Sequence, residues 1–169
     1  MTDEQLHITP RVARVLMSEE AIYGLILVSG MIVVSGAGDG TALNAFSTVA
    51  VTVVVFYAAH VYAGTLGRLA ATDGTAKLGG SLRASLHQSA GMLLASVAPL
   101  LVLLLGATRV IEDDTAMWTA LILDSVILGI LGWVAVARWT SHWWPRLLSA
   151  LLTAAFGGVL ILLKAVIHH

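Results

Sequence analysis

The charges of this chain stand aside from five long apolar stretches, and that arrangement restricts it to a helical fold within a membrane. No Asp, Glu, Lys or Arg lies between Glu20 and Asp39, and none lies between Asp39 and Arg68. Further apolar stretches cover 90–108, 116–137, interrupted only by Asp124, and 147–163. Each approaches the roughly 20 apolar residues with which a helix crosses about 30 Å of hydrocarbon. The expected fold is therefore all-α and polytopic, with five transmembrane helices at 20–38, 42–66, 90–108, 116–137 and 146–167.

What remains, a segment over 1–19 and a linker over 67–89, is too short for a separate soluble domain of about 50 residues or more. Residues 1–169 are thus expected to form a single membrane domain. A net charge of −1, with nine Lys and Arg scattered along the chain, excludes a nucleic-acid footprint. The absence of cysteine excludes a disulfide, a thiol nucleophile and a thiolate metal site. The opening MTDEQLHITPR is polar and partly acidic, unlike the basic start and apolar run of a signal peptide, so the first span is expected to be retained.

Orientation follows from the cations. Arg11, Arg14, Arg68, Lys77, Arg83, Arg138 and Arg146, seven of the nine, fall on one side if five spans alternate direction, against Arg109 and Lys164 on the other. Short cytoplasmic loops collect Lys and Arg, which makes the N-terminus and the 67–89 linker cytoplasmic and the C-terminus extracytoplasmic. The expected location is a cytoplasmic membrane of the bacterial type. Trp133, Trp139, Trp143 and Trp144 would then anchor the inner headgroup level and Trp118 the outer one.

Local signals refine this frame. Thr9-Pro10 reads as an N-cap and first helical residue, opening a helix through Val12, Val15 and Leu16. In the linker, Thr72-Asp73-Gly74-Thr75 reads as a turn, and Leu78, Leu82 and Leu86 form an apolar stripe that leaves Arg83 and His87 to one side. Asp39-Gly40 and Gly79-Gly80 read as turn glycines. Pro99 falls inside the third span and Pro145 at the start of the fifth. Two ladders of small residues, Ser149-Thr153-Gly157 and Ala150-Ala154-Gly158, let a neighbouring backbone approach the fifth span closely, either within one subunit or in a homo-oligomer.

The polar residues inside the spans are the candidate functional groups. Asp124 lies about 12 Å into the fourth span and His60 about 12 Å into the second from the opposite side. In a core about 30 Å thick their levels differ by roughly 6 Å, which allows an Asp124–His60 hydrogen bond if the two spans are neighbours. A carboxylate at such depth is paired, protonated or wetted by a cavity, and such residues mark transport pathways. Glu19 and Glu20 open the first span, where the positive helix end favours carboxylates, and His87 with Gln88 falls at the same level. Tyr57 and Tyr62 would complete a polar vestibule there.

His60, His87, Glu20 and Asp124 are also metal-ligand types, but they come from four spans with no HxxxH or HExxH spacing, so no metal and no other cofactor is expected. His168 and His169 are set aside as terminal residues. The stretches SEEAIYGLILVSG and FYAAHVYAG carry neither the Trp and Pro motifs of the five-span translocator-type proteins nor the Arg-Phe-Ser-Asp signature of one class of bacterial potassium channels.

The expected function is that of a small membrane transport protein, a proton- or cation-handling channel or carrier. Asp124 and His60 would form its relay, since a carboxylate and an imidazole can exchange protons near neutral pH, with Glu20 and His87 near the inner mouth. Membrane lipid and further copies of the chain in a homo-oligomer are the expected partners, nucleic acid is not, and a proton or small cation is the expected transported species. The alternatives are a non-catalytic lipid-binding or scaffold protein and, third, an intramembrane metallohydrolase.

Overall fold

The computed structural model describes residues 18–36, 40–72 and 77–167. They form five helices: α1 (Glu19–Ser35), α2 (Ala42–Ala70), α3 (Leu78–Ala107), α4 (Asp113–Ala137) and α5 (Trp143–Ile167). The four from α2 to α5 are long and apolar enough to cross a membrane. At 17 residues α1 is shorter, about 26 Å from end to end. The expected helix from Thr9-Pro10, Asp39, the turn from Asp73 to Thr75, and His168-His169 lie outside the described residues.

Helix starts follow the local chemistry. Ser18 caps α1 by accepting from the Ala21 N–H at 3.3 Å, and Glu19 and Glu20 stand in the first turn, where the helix dipole favours negative charge. Thr41 caps α2 by accepting from the Asn44 N–H at 3.3 Å. At the α4–α5 corner the Arg146 guanidinium donates to the Thr140 carbonyl at 2.7 Å and the Ala137 carbonyl at 3.4 Å, satisfying oxygens that the end of α4 leaves free. The end of α3 is closed by Arg109 at φ 59°, with its own N–H bonded to the Gly106 carbonyl and that of Val110 to Leu105. A residue in the left-handed region with these two bonds is the usual helix terminator, here without the customary glycine.

Two expectations change. The 67–89 segment is mostly helix, because α2 continues to Ala70 and α3 already begins at Leu78. Charge marks where a helix leaves hydrocarbon and not where it ends: at 30 residues α3 is about 45 Å long, some 15 Å more than the hydrocarbon core. Gly79 and Gly80 accordingly sit in the first turn of α3 and not in a loop. The Leu78, Leu82 and Leu86 stripe faces away from the bundle, while Ser81, Ser85 and Ser89 beside it are buried. Small hydroxyl residues let α3 approach its neighbours closely along this face.

α1 touches each of the other four helices, which follow one another around it as α2–α3–α4–α5. Two apolar clusters line its length. One joins Ala21 and Leu25 to Ala95, Leu128 and Leu131; the other joins Val28, Ile32 and Val33 to Ala45, Val49, Leu103, Met117 and Leu121, with others. α5 lies outermost against α4. Its ladder is used within the chain: Gly157 backs onto Ser125, Gly132 onto Ser149 and Thr153, and Gly129 onto Ala150 and Ala154, while Gly158 meets nothing.

Candidate functional site

Polar groups occur at three levels along α1, separated by the two apolar clusters. At the first level Glu20, 4% exposed, accepts from Gln88 Nε2 on α3 at 2.6 Å. Gln88 Oε1 in turn accepts from Arg68 Nη2 on α2 at 2.5 Å. Only one orientation of the amide serves both neighbours, since a carboxylate needs a donor and a guanidinium an acceptor. The bridge couples a buried carboxylate to a cation at the bundle's edge without direct contact.

Beside this bridge is a cavity of about 160 Å³ lined by Glu19, Glu20, His60, Ala63, Gly64, Gln88 and Ser89. Gly64 keeps α2 close to α3, since a Cβ there would stand 3.1 Å from Ser85 Oγ. His60 is half-buried with its ring 5.1 Å from that of Phe56, centroid to centroid. Three of the four residues singled out from sequence therefore divide as follows. Glu20 and His60 share this cavity, but His87 does not line it and is exposed on α3.

Asp124 occupies the second level, and its partner is not His60. It is fully buried, and its Oδ2 accepts from the Ser29 hydroxyl on α1. Ser29 lies nine residues beyond Glu20, about 13 Å along the helix, with Leu25 and Leu128 filling the interval. The expected contact fails because α4 is held against α1 at this level, while His60 is carried with α2 toward the Glu20 end. Asp124 Oδ1 has no hydrogen-bond partner, which is costly for a buried carboxyl oxygen.

The third level was not anticipated. Lys164 on α5 is 2% exposed, with Nζ 3.4 Å from Asp114 Oδ1 and 5.2 Å from the centre of the Trp118 ring. Trp118 therefore supports a cation and does not serve only as a headgroup anchor. The sequence signal was available: Lys164 follows Gly157 by seven residues, two turns farther along the face that backs onto α4. Trp139, Trp143 and Trp144, by contrast, are exposed around the α4–α5 corner, as belt residues are.

Among the described residues no three His, Asp or Glu side chains converge as a metal-binding group. Comparison with known proteins finds no family model, no curated protein and no solved structure that matches this chain.

Proposed function

We propose that this chain is a small transport protein handling protons or a small cation across a cytoplasmic membrane, with all five helices crossing the bilayer. The single observation that carries this reading is Asp124, a carboxyl group enclosed midway along the bundle, held by one serine and with its second oxygen unpartnered. Purely structural polar groups in membranes satisfy their hydrogen bonds, whereas an oxygen left open is available to a proton or cation. The Glu20, His60 and Gln88 cavity is the entry on the side where seven of nine cations fall, which is cytoplasmic by the charge rule. Lys164 with Asp114 closes the opposite end. The apolar residues between the levels make this an occluded state, so passage requires α1 to shift against α3 and α4.

The test is proton and alkali-cation flux into vesicles containing the parent protein or Asp124→Asn, each first shown to be folded by size-exclusion chromatography. The amide keeps the shape and can still accept from Ser29 but carries no charge, so flux falls to the level of empty vesicles while folding persists. Parent flux no greater than that of empty vesicles across a range of about pH 5.5 to 8 removes the transport reading.

A second reading, a non-catalytic lipid-binding protein, is favoured by an apolar groove of about 470 Å³ between α2 and α3, walled by Tyr57, Val61, Tyr62, Leu78, Leu82 and others. That reading takes over if the vesicles show no flux.

A further inference from the structure

The walls of the cavity beside the Glu20 bridge restrict what it can hold. Glu20 Oε1 accepts from Gln88, but Oε2 accepts no hydrogen bond among the described residues and, unlike Asp124 Oδ1, is not sealed from its surroundings. Glu20 is only 4% exposed and lines the cavity, so the free oxygen opens there. An enclosed carboxylate oxygen without a partner needs a donor, and here the donor must come from an occupant of the cavity. Glu19 on α1, His60 on α2 and the Ser89 hydroxyl on α3 bring further acceptors to the same walls.

The site is electrically one-sided. No Lys or Arg lines it, neither glutamate forms an ion pair among the described residues, and the Arg68 charge reaches Glu20 only through the Gln88 amide. The start of α1 contributes about half a positive charge, which leaves two carboxylates dominant. A metal ion does not suit the arrangement. It gathers its ligands within about 2–2.6 Å of one point, and among the described residues no three His, Asp or Glu side chains converge in that way. At about 160 Å³ the cavity has room for several water molecules, more than a bare ion fills. An ammonium group on a short carbon chain needs no such convergence, because its three N–H donors point apart toward separate acceptors, and Ala63 and Gly64 admit its carbon.

We infer that this cavity binds a primary ammonium group, with Glu20 Oε2 as the principal acceptor and Glu19, Ser89 and His60 around it. The group arrives either on a small free amine or as the headgroup of an aminolipid. In the first case it is the cation of the transport reading and rests on that reading for its passage, although binding is measured without flux.

The experiment uses the full chain in phosphatidylcholine nanodiscs, a lipid whose quaternary nitrogen donates no hydrogen bond. Methylammonium, tetramethylammonium and sodium chlorides are titrated at equal ionic strength in one arm, and phosphatidylethanolamine is added to the lipid in another. Binding is read by melting temperature and, for lipid, by native mass spectrometry. Methylammonium is expected to raise the melting temperature with concentration where sodium and tetramethylammonium do not. Phosphatidylethanolamine acting alone in this way would support the site and identify an aminolipid as its ligand.

Glu20→Gln removes the charge and keeps the shape, and should weaken binding at least about tenfold. Ala63→Leu narrows the cavity from an exposed position without touching a charge, so binding should disappear while the fold persists; it decides the matter if Glu20→Gln does not fold. Glu112→Gln removes an exposed carboxylate far from the cavity and should change nothing. No stabilisation by methylammonium or phosphatidylethanolamine overturns the inference, as does equal stabilisation by sodium or tetramethylammonium. So does binding that survives Ala63→Leu, or that falls as far in Glu112→Gln as in Glu20→Gln. Methylammonium binding without flux in vesicles upholds the site and removes only the transport reading, whereas flux that depends on Asp124 without ammonium binding does the reverse.

Discussion

α1 and α5 reverse the usual relation between hydrophobicity and burial. α1 is the shortest of the five described helices and starts with two carboxylates, yet Glu20, Ala21, Gly24, Leu25, Val28, Ser29, Ile32 and Val33 are all buried. α5 is apolar almost throughout, yet among its residues only Gly157 and Lys164 are buried, and Leu152, Leu162 and Val166 are each at least 65% exposed. In water an apolar side chain is driven inward, but lipid is as apolar as leucine, so association depends on close packing and on polar groups that need partners. α1 is central because Gly24, Ser29 and Gly36 admit neighbours and because Glu20 and Ser29 bond to them.

The largest test of this contrast is at Gly24. A Cβ there would lie 2.9 Å from Met92 Cγ and 3.0 Å from Met92 Cα, so the backbone of α3 must move. Gly24→Leu should cost about 3 kcal/mol, the upper end of the overpacking range, with a lower melting temperature in detergent. Gly30→Leu, on the open side of the same helix, should cost little. Equal losses at the two positions would mean that α1 is not packed as described.

On α5 the corresponding pair is Gly157 and Gly158. A Cβ at Gly157 would stand 2.9 Å from Ser125 Cα, whereas at Gly158 it meets nothing within 4 Å. Gly157→Leu should cost about 1–2 kcal/mol by the same range, and less than Gly24→Leu because α5 can retreat into lipid. Gly158→Leu should leave the melting temperature unchanged. A Gly158→Leu protein that loses a dimer on size-exclusion chromatography would show instead that this face meets a second copy.

Smaller again is the effect at the Lys164 pair. Asp114→Asn takes away the counter-charge of a buried ammonium, but Asp114 is itself 48% exposed, so the loss should be about 1 kcal/mol or less. Lys164→Met fills the same space without a charge and should be neutral or stabilising by thermal denaturation. If Lys164→Met proves the more harmful, Lys164 has a role beyond joining α5 to α4. Least of all, Leu162→Ala on the outward face of α5 should stay within about 0.5 kcal/mol of the parent.

Much of the fold was legible because membrane helices are marked by composition. Each of the four long helices contains one of the apolar stretches, Pro145 stands at the start of α5, and Asp124 was marked by its depth alone. The candidate site was legible in its residue types and less so in their pairing. Glu20 and His60 do share a cavity, yet Gln88 and Arg68, which complete the bridge, attracted less notice than His87, which stays outside. The serine stripe at 81, 85 and 89 was visible at helical spacing but stood beside a leucine stripe that an expectation formed for water ranks higher.

The sequence by itself determined that this chain is helical and suited to a membrane, because any stretch of some twenty apolar residues must satisfy its backbone internally once water is absent. It determined also which polar residues would be costly there. Only the tertiary structure decided that Asp124 meets Ser29 and not His60, that Lys164 turns inward onto Trp118, and that the 17-residue α1 occupies the centre. Those outcomes depend on which helices are neighbours and how each is rotated. Neighbourhood is set by the fit of small residues across helices far apart in the chain, and hydropathy, which sums residues along a single helix, carries no record of it.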